Sequence, residues 1–227
     1  MLFKNLFKTT IVQKILVALT GLFMIFFLIA HLLGNLEIFS GPDALNQYGV
    51  LLRTFPKVLW AFRIALLIAL GLHVFLTIKL QKQNKDAKKL TYEKQHFRKT
   101  TKASRIMLLS GLTVLCFIMF HLAHFTLDLT NDGFDMLIDS QGRHHVYNMV
   151  VLGFSNPTVS GFYILAQILL AFHISHGFAS CFRTLGFSNP VIFNKIKVFS
   201  NMFALLIAAL YISIPVCVLL GILPLSI

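Results

Sequence analysis

Charge is scarce in this sequence. Of its 227 residues only 12% are charged, and just 8 are acidic. Soluble domains run at roughly 25% charged, so this chain has too few ionic groups to cover a water-facing surface. That excludes an ordinary soluble enzyme and a disordered tail. Cysteine is equally sparse. Cys116, Cys181 and Cys217 each sit in or beside an apolar run, and no CxxC occurs. A redox dithiol, a thiolate zinc site and a secreted disulfide scaffold are thereby set aside, and the three read as small core residues. There is no HExxH, flavin motif or nucleotide-binding glycine pattern. Apolar residues are abundant, at 57% with 23 phenylalanines. The composition is that of a polytopic membrane protein.

A membrane-crossing helix needs about 20 mostly apolar residues. Read from charge to charge, five stretches qualify: 15–36, 58–78, 106–127, 158–182 and 198–222. The expected fold is therefore an all-α bundle of five transmembrane helices in a single membrane domain. Pro157 suits the first turn of the fourth helix, where a missing N–H costs little. Pro215 lies inside the fifth and suggests a kink. The first stretch exceeds the ~7–15 apolar residues of a signal peptide and is read as a retained helix.

The net charge of +12 would suggest nucleic acid in a soluble protein, but its distribution points to topology instead. Sixteen of the 20 basic residues fall in the N-terminus, the loop from Lys79 to Arg105 and the loop holding Arg183, Lys195 and Lys197. By the positive-inside rule these segments are cytoplasmic, which puts the N-terminus inside and the C-terminus outside. The lysine-rich loop suits anionic lipid headgroups or a soluble partner. The outer loops carry a Gly41-Pro42-Asp43 turn, an Asn131-Asp132-Gly133 turn and the Gly142-Arg143-His144-His145 cluster.

Nine histidines occur, and six lie within the expected spans: His31, His73, His121, His124, His173 and His176. Intramembrane ionisable residues are rare and mark function. Their depth is informative. At ~1.5 Å per residue, His31 lies about 25 Å beyond Lys14, and His121 stands at nearly the same height above Arg105. By the same rise, His73 is ~9 Å and His173 ~15 Å from the inner end. Helices one and three thus supply an outer pair, and helices two and four an inner pair. Two imidazoles at one level can ligate one iron from opposite faces of a porphyrin held in a bundle core. Gly71 and Gly177 would remove bulk where a macrocycle presses close. The alternatives are zinc, for which His121-x-x-His124 and His173-x-x-His176 have a suggestive spacing but no intramembrane carboxylate, and unliganded core or proton-relay histidines. His144 and His145 read as solvated in the outer loop, and His96 likewise in the inner one.

The segment FSNPTVSGFYILAQILLAFHISHGFASCFRTLG, residues 154–186, together with IAHLLGN around His31, LGLHVFL around His73 and MFHLAHF around His121, resembles the five-helix, di-haem cytochrome b membrane subunit of succinate dehydrogenases and fumarate reductases. The resemblance spans nearly the whole chain. It implies two b-type haems, with His31 and His121 on the distal iron and His73 and His173 on the proximal one. It is this resemblance that selects His121 and His173 from their HxxH pairs. His124 and His176 would then bind propionates or quinone, or sit in the core. Candidates for haem propionates are Lys14, Arg105 and Arg183 at the inner rim and Arg53 or Arg63 at the outer. The resemblance further implies a flavoprotein with covalent FAD and an iron–sulfur protein docked at the cytoplasmic face. It implies electron delivery to a quinone, with menaquinone expected, in a bacterial cytoplasmic membrane. Near the outer level Glu37, Asp43, Arg53, His124 and Asp128 could exchange protons, and Glu37 and His124 are the quinone-site candidates. A di-haem anchor of a hydrogenase or formate dehydrogenase, and a haem-free transporter or proton channel, are the competing functions.

Overall fold

The computed structural model describes residues 9–86, 107–130 and 133–226. Its elements are α1 (Thr10–Leu36), a 3-10 turn (Glu37–Ser40), α2 (Pro42–Thr54), α3 (Pro56–Asp86), α4 (Met107–Phe125), α5 (Val146–Ser155), α6 (Pro157–Thr184) and α7 (Pro190–Leu219). Five of these, α1, α3, α4, α6 and α7, are long and apolar enough to cross a membrane. No strand occurs among the described residues; one isolated bridge joins Ile138 and His144. The chain is an all-α, multi-pass membrane protein. The expected spans match these helices, and the ends differ for local reasons. The fourth starts at Pro157 because Asn156 caps it, its side-chain oxygen accepting from Thr158 N and Val159 N. The fifth starts at Pro190, eight residues before the expected Val198, because Asn189 caps it in the same way. Lys195 and Lys197 are thus helical rather than loop residues, and the helix runs through Pro215 to Leu219. The lysine-rich stretch 87–106, with His96 and Arg105, and the 131–132 turn lie outside the described residues.

The helices carrying histidine pack in sequence side by side. α3 packs along α1, α1 along α6, and α6 along α4, while α7 lies against α6 and α1. In that order α1 and α4 flank α6, and α3 and α6 flank α1. The bundle has two unlike ends. One carries the first residues of α1, α4 and α7 and the last of α3 and α6, with most of the basic residues among those described. The other is covered by α2, α5 and the loop residues 128–130 and 133–145, and is here called the capped end. Apolar side chains of the cap and the bundle share one core, including Ile38, Leu45, Phe117, Val151, Phe154, Tyr163 and Ile214. A second cluster, Leu32, Ile174, Ala204 and Ile207, joins α1, α6 and α7. Elsewhere large apolar residues such as Val58, Trp60, Phe62 and Leu67 on α3 are exposed, as lipid-facing positions must be, since lipid is as apolar as they are.

Polar bonds clamp the cap. Arg143 pairs with Asp43 at 2.7 Å and with Asp139 at 2.8 Å. The buried Asn46 donates to Asp139 at 3.0 Å and accepts from Tyr147 N–H at 3.0 Å. His145 departs from the solvated expectation: it is buried, and its Nδ1 accepts from Asn148 N–H at 3.3 Å. The position explains this, since His145 caps the N-terminus of α5 and satisfies one of its orphan donors. Burial works to raise the Asp139 pKa, but the hydrogen bonds from Arg143, Gln141 N–H and Asn46 outweigh it and hold the carboxyl at about 2. The same ion pairs push the Arg143 guanidinium up, first among them the bond to Asp43.

Candidate functional site

The helical register brings the histidines together at two heights. Toward the capped end, the His31 ring on α1 and the His121 ring on α4 lie with centroids 5.8 Å apart, edge to face at 77°. A metal–imidazole nitrogen bond is about 2 Å, and the ring centre lies ~1 Å further, so two imidazoles on one metal need centroids roughly 6 Å apart. The observed separation has that size, which is also the ordinary spacing of two packed aromatic rings. Phe27 stacks on His31 at 5.3 Å, and Phe117 and Phe125 lie beside His121 at 5.9 Å each.

The lower pair is His73 on α3 and His173 on α6, within electrostatic reach of each other. Each faces a glycine on a neighbouring helix. A Cβ added at Gly21 of α1 would stand 3.3 Å from His73 Cε1, and one at Gly111 of α4 would stand 3.2 Å from His173 Cε1. Gly21 lies ten residues before His31, and Gly111 ten residues before His121. The two levels are thus separated by the same ten residues, ~15 Å, on both helices. The ~6 Å mismatch between His73 and His173 that charge-based depths suggested disappears, because helix ends are poor rulers and contacts are good ones.

Each of the four rings is held through Nδ1. His73 Nδ1–H donates to the Val17 carbonyl at 3.1 Å, with Thr20 Oγ1 at 3.2 Å. His173 Nδ1–H donates to Ser110 Oγ at 3.3 Å, while that hydroxyl donates to Met107 O at 3.1 Å. His121 Nδ1 lies 3.3 Å from the Tyr163 hydroxyl, and His31 Nδ1 lies 3.4 Å from the Asn35 amide. No hydrogen bond among the described residues engages Nε2 of any of the four. His73, His173 and His121 can each donate Nδ1–H and keep Nε2 unprotonated, the form of a metal-binding histidine; His31 differs, because the Asn35 amide nitrogen is a donor and makes its Nδ1 the acceptor. No cluster of three or more metal-ligating side chains occurs among the described residues. Zinc generally takes four ligands, at least three of them from protein, and the HxxH spacing does not assemble such a set here.

The remaining candidates divide. His124 is 1% exposed, enclosed by Phe120, Phe125 and Phe134, with its Nδ1 3.0 Å from the Tyr163 hydroxyl. His176 is half-buried below His173, its Nε2 3.2 Å from Ser180 Oγ. Glu37 is half-buried in the 3-10 turn at the capped end. Lys14 and Arg183 are exposed at the basic end, and Arg183 lies over the Phe193 ring at 3.8 Å. Arg53 and Arg63 are exposed, with Arg63 over Trp60 at 5.2 Å. Gly71 and Gly177 have nothing within 4 Å of an added Cβ.

Sequence reasoning missed Gly21, Gly111, Thr20, Ser110 and Tyr163. The signal for the glycines was present, as the repeated ten-residue interval to a histidine. Nothing in the spacing marks Ser110 or Tyr163, which act from a different helix. Compared with family models, with curated proteins and with solved structures, the chain matches none.

Proposed function

We propose that this chain is a di-haem cytochrome b, the membrane anchor and electron-transfer subunit of a succinate:quinone oxidoreductase. One observation carries the reading: two imidazole pairs, on four helices of one bundle, stand ten residues apart along the membrane normal. Haem iron held by such pairs supplies one-electron transfer. Everything else is work for this chain's own side chains. His31 and His121 would hold one iron toward the capped end, and His73 and His173 the other toward the basic end. Val17, Ser110 and Tyr163 hold the ring tautomers by accepting from Nδ1–H, which keeps Nε2 unprotonated. Gly21 and Gly111 keep backbone close to the lower rings without side-chain bulk.

The basic end is cytoplasmic in this reading, by the distribution of lysine and arginine. It supplies a cationic face for an iron–sulfur protein and its flavoprotein partner; Lys14 and Arg183, with Arg105 by its position in the sequence, are the candidates for haem carboxylates. The capped end faces outward from a bacterial cytoplasmic membrane. A quinone, of the menaquinone type, approaches there. Glu37 is the better placed of the two residues considered for it, because phenylalanines enclose His124.

The test is a reduced-minus-oxidised spectrum with haem quantification on the purified chain. The expected result is a low-spin b-type signal and two haems per polypeptide. Replacing His31 or His121 removes one, and replacing His73 or His173 removes the other. A wild-type chain that stays colourless with haem supplied during expression ends this reading. Co-purification of a flavoprotein carrying covalent FAD separates it from an anchor of hydrogenase or formate dehydrogenase. Glu37→Gln should slow quinone reduction while leaving both haems in place.

A further inference from the structure

The tyrosine of α6 that touches His121 also touches a second histidine. The Tyr163 hydroxyl lies 3.3 Å from His121 Nδ1 and 3.0 Å from His124 Nδ1. A phenol has one proton to give and lone pairs to receive with, so the two contacts cannot be alike. If Nε2 of His121 is to bind a metal, Nδ1 must carry the proton, and the tyrosine oxygen is its acceptor. The phenol proton is then committed to Nδ1 of His124, whose own proton sits on Nε2. The three groups form one directed chain, from His121 N–H to Tyr163 O–H to His124.

The setting makes this chain rigid. Tyr163 is 5% and His124 1% exposed. The Tyr163 ring meets Phe117 and Phe154 edge-on at 5.1 and 4.9 Å. Gly153 of α5 backs His124, and a Cβ there would stand 3.2 Å from its Cε1. Among the described residues the lower pair has no second imidazole in its hydrogen bonds. His73 leans on a backbone carbonyl and His173 on a serine already tied to its own helix.

We propose that Tyr163, with its phenol proton held by His124, is the positioning residue that polarises His121 and sets the redox potential of the metal site toward the capped end. The proposal rests on the haem reading above. An acceptor on Nδ1–H raises the basicity of the ligating nitrogen, which favours the oxidised iron and lowers the potential. An acceptor whose own proton is drawn away by His124 does so more strongly.

The experiment is a redox titration of the purified wild-type and variant chains, followed by visible and low-spin electron paramagnetic resonance spectra. The two haems are assigned beforehand by the His31 and His73 replacements. Tyr163→Phe keeps the ring and removes the hydroxyl. It should retain both haems, raise the midpoint potential of the capped-end haem and leave the other unmoved. His124→Leu should raise the same potential by less, and His124→Gln, which restores an acceptor, should return it toward wild type. Two intact haems with unchanged potentials in Tyr163→Phe would overturn the proposal, and so would equal shifts at both. Should that variant fail to assemble, the leucine and glutamine variants of His124 decide, identical potentials in those two counting against it. A wild-type chain without haem would instead defeat the earlier reading.

Discussion

The two imidazole pairs are built on the same ten-residue interval and yet supported by different means. Toward the basic end, His73 and His173 are fixed by main chain and small hydroxyls, and each faces a glycine. Toward the capped end, His31 and His121 sit among aromatic rings and reach an amide, a phenol and a further histidine. A carbonyl inside a helix cannot be adjusted without rebuilding the helix. A side-chain network can be altered one residue at a time. At the lower site His73 is therefore set by backbone and His173 by a single hydroxyl, whereas the upper site is set by a network of larger side chains.

Breaking either pair has the largest expected effect. A His31–His73 double replacement should abolish all haem, while each single one should remove half, measured by pyridine haemochrome. Next is Gly111→Val. The added Cβ alone would stand 3.2 Å from His173 Cε1, and two further methyl groups deepen that overlap. The expected outcome is loss of the lower haem with the upper spectrum intact. Gly161→Val, where nothing lies within 4 Å of an added Cβ, should spare both. If the two glycine variants behave alike, the lower site is not the tight cradle described.

A moderate effect is expected at the cap. Asn46→Ala leaves Asp139 and the Tyr147 N–H short of a partner. Deleting one side of a buried hydrogen-bonded pair costs on the order of 1–3 kcal/mol, so thermal unfolding in detergent should begin several degrees lower. Acid should loosen the same region. The Asp139 carboxyl is held at about 2, below its ordinary value of 3.8. Its contribution is full above the ordinary value and is lost as pH falls from roughly 4 toward the folded value. Limited proteolysis of loop residues 133–145 should accelerate across that window. In Arg143→Met the folded value rises, and the window narrows toward ordinary carboxylate pH.

The smallest effects compare the two lower rings with each other. Ser110→Ala removes the Nδ1 partner of His173 and should raise the lower haem's potential measurably. Thr20→Val should hardly move it, because the Val17 carbonyl remains on His73. Equal shifts would mean that the threonine, not the backbone, holds His73.

Much of this arrangement was legible beforehand. Charge-free runs of about 20 residues announce helices because a bilayer leaves backbone polar groups no other partner. Helix ends were read less well, since Asn189 caps α7 before two lysines that look like loop. The pairing of His31 with His121 was also legible as depth, which needs only counting. The burial of His145 was not, because a histidine at a loop end and one at a helix cap look the same in one dimension.

What the residue order by itself determined is the number of membrane helices, their approximate limits and the common level of His31 and His121, all of which follow from local hydropathy and a constant rise per residue. Only the tertiary structure decided which nitrogen of each ring is anchored, that Gly21 and Gly111 make room for the lower pair, and that Tyr163 joins His121 to His124. Those facts depend on the rotation of one helix against another, and that rotation is set by side-chain packing between segments more than 30 residues apart in the chain.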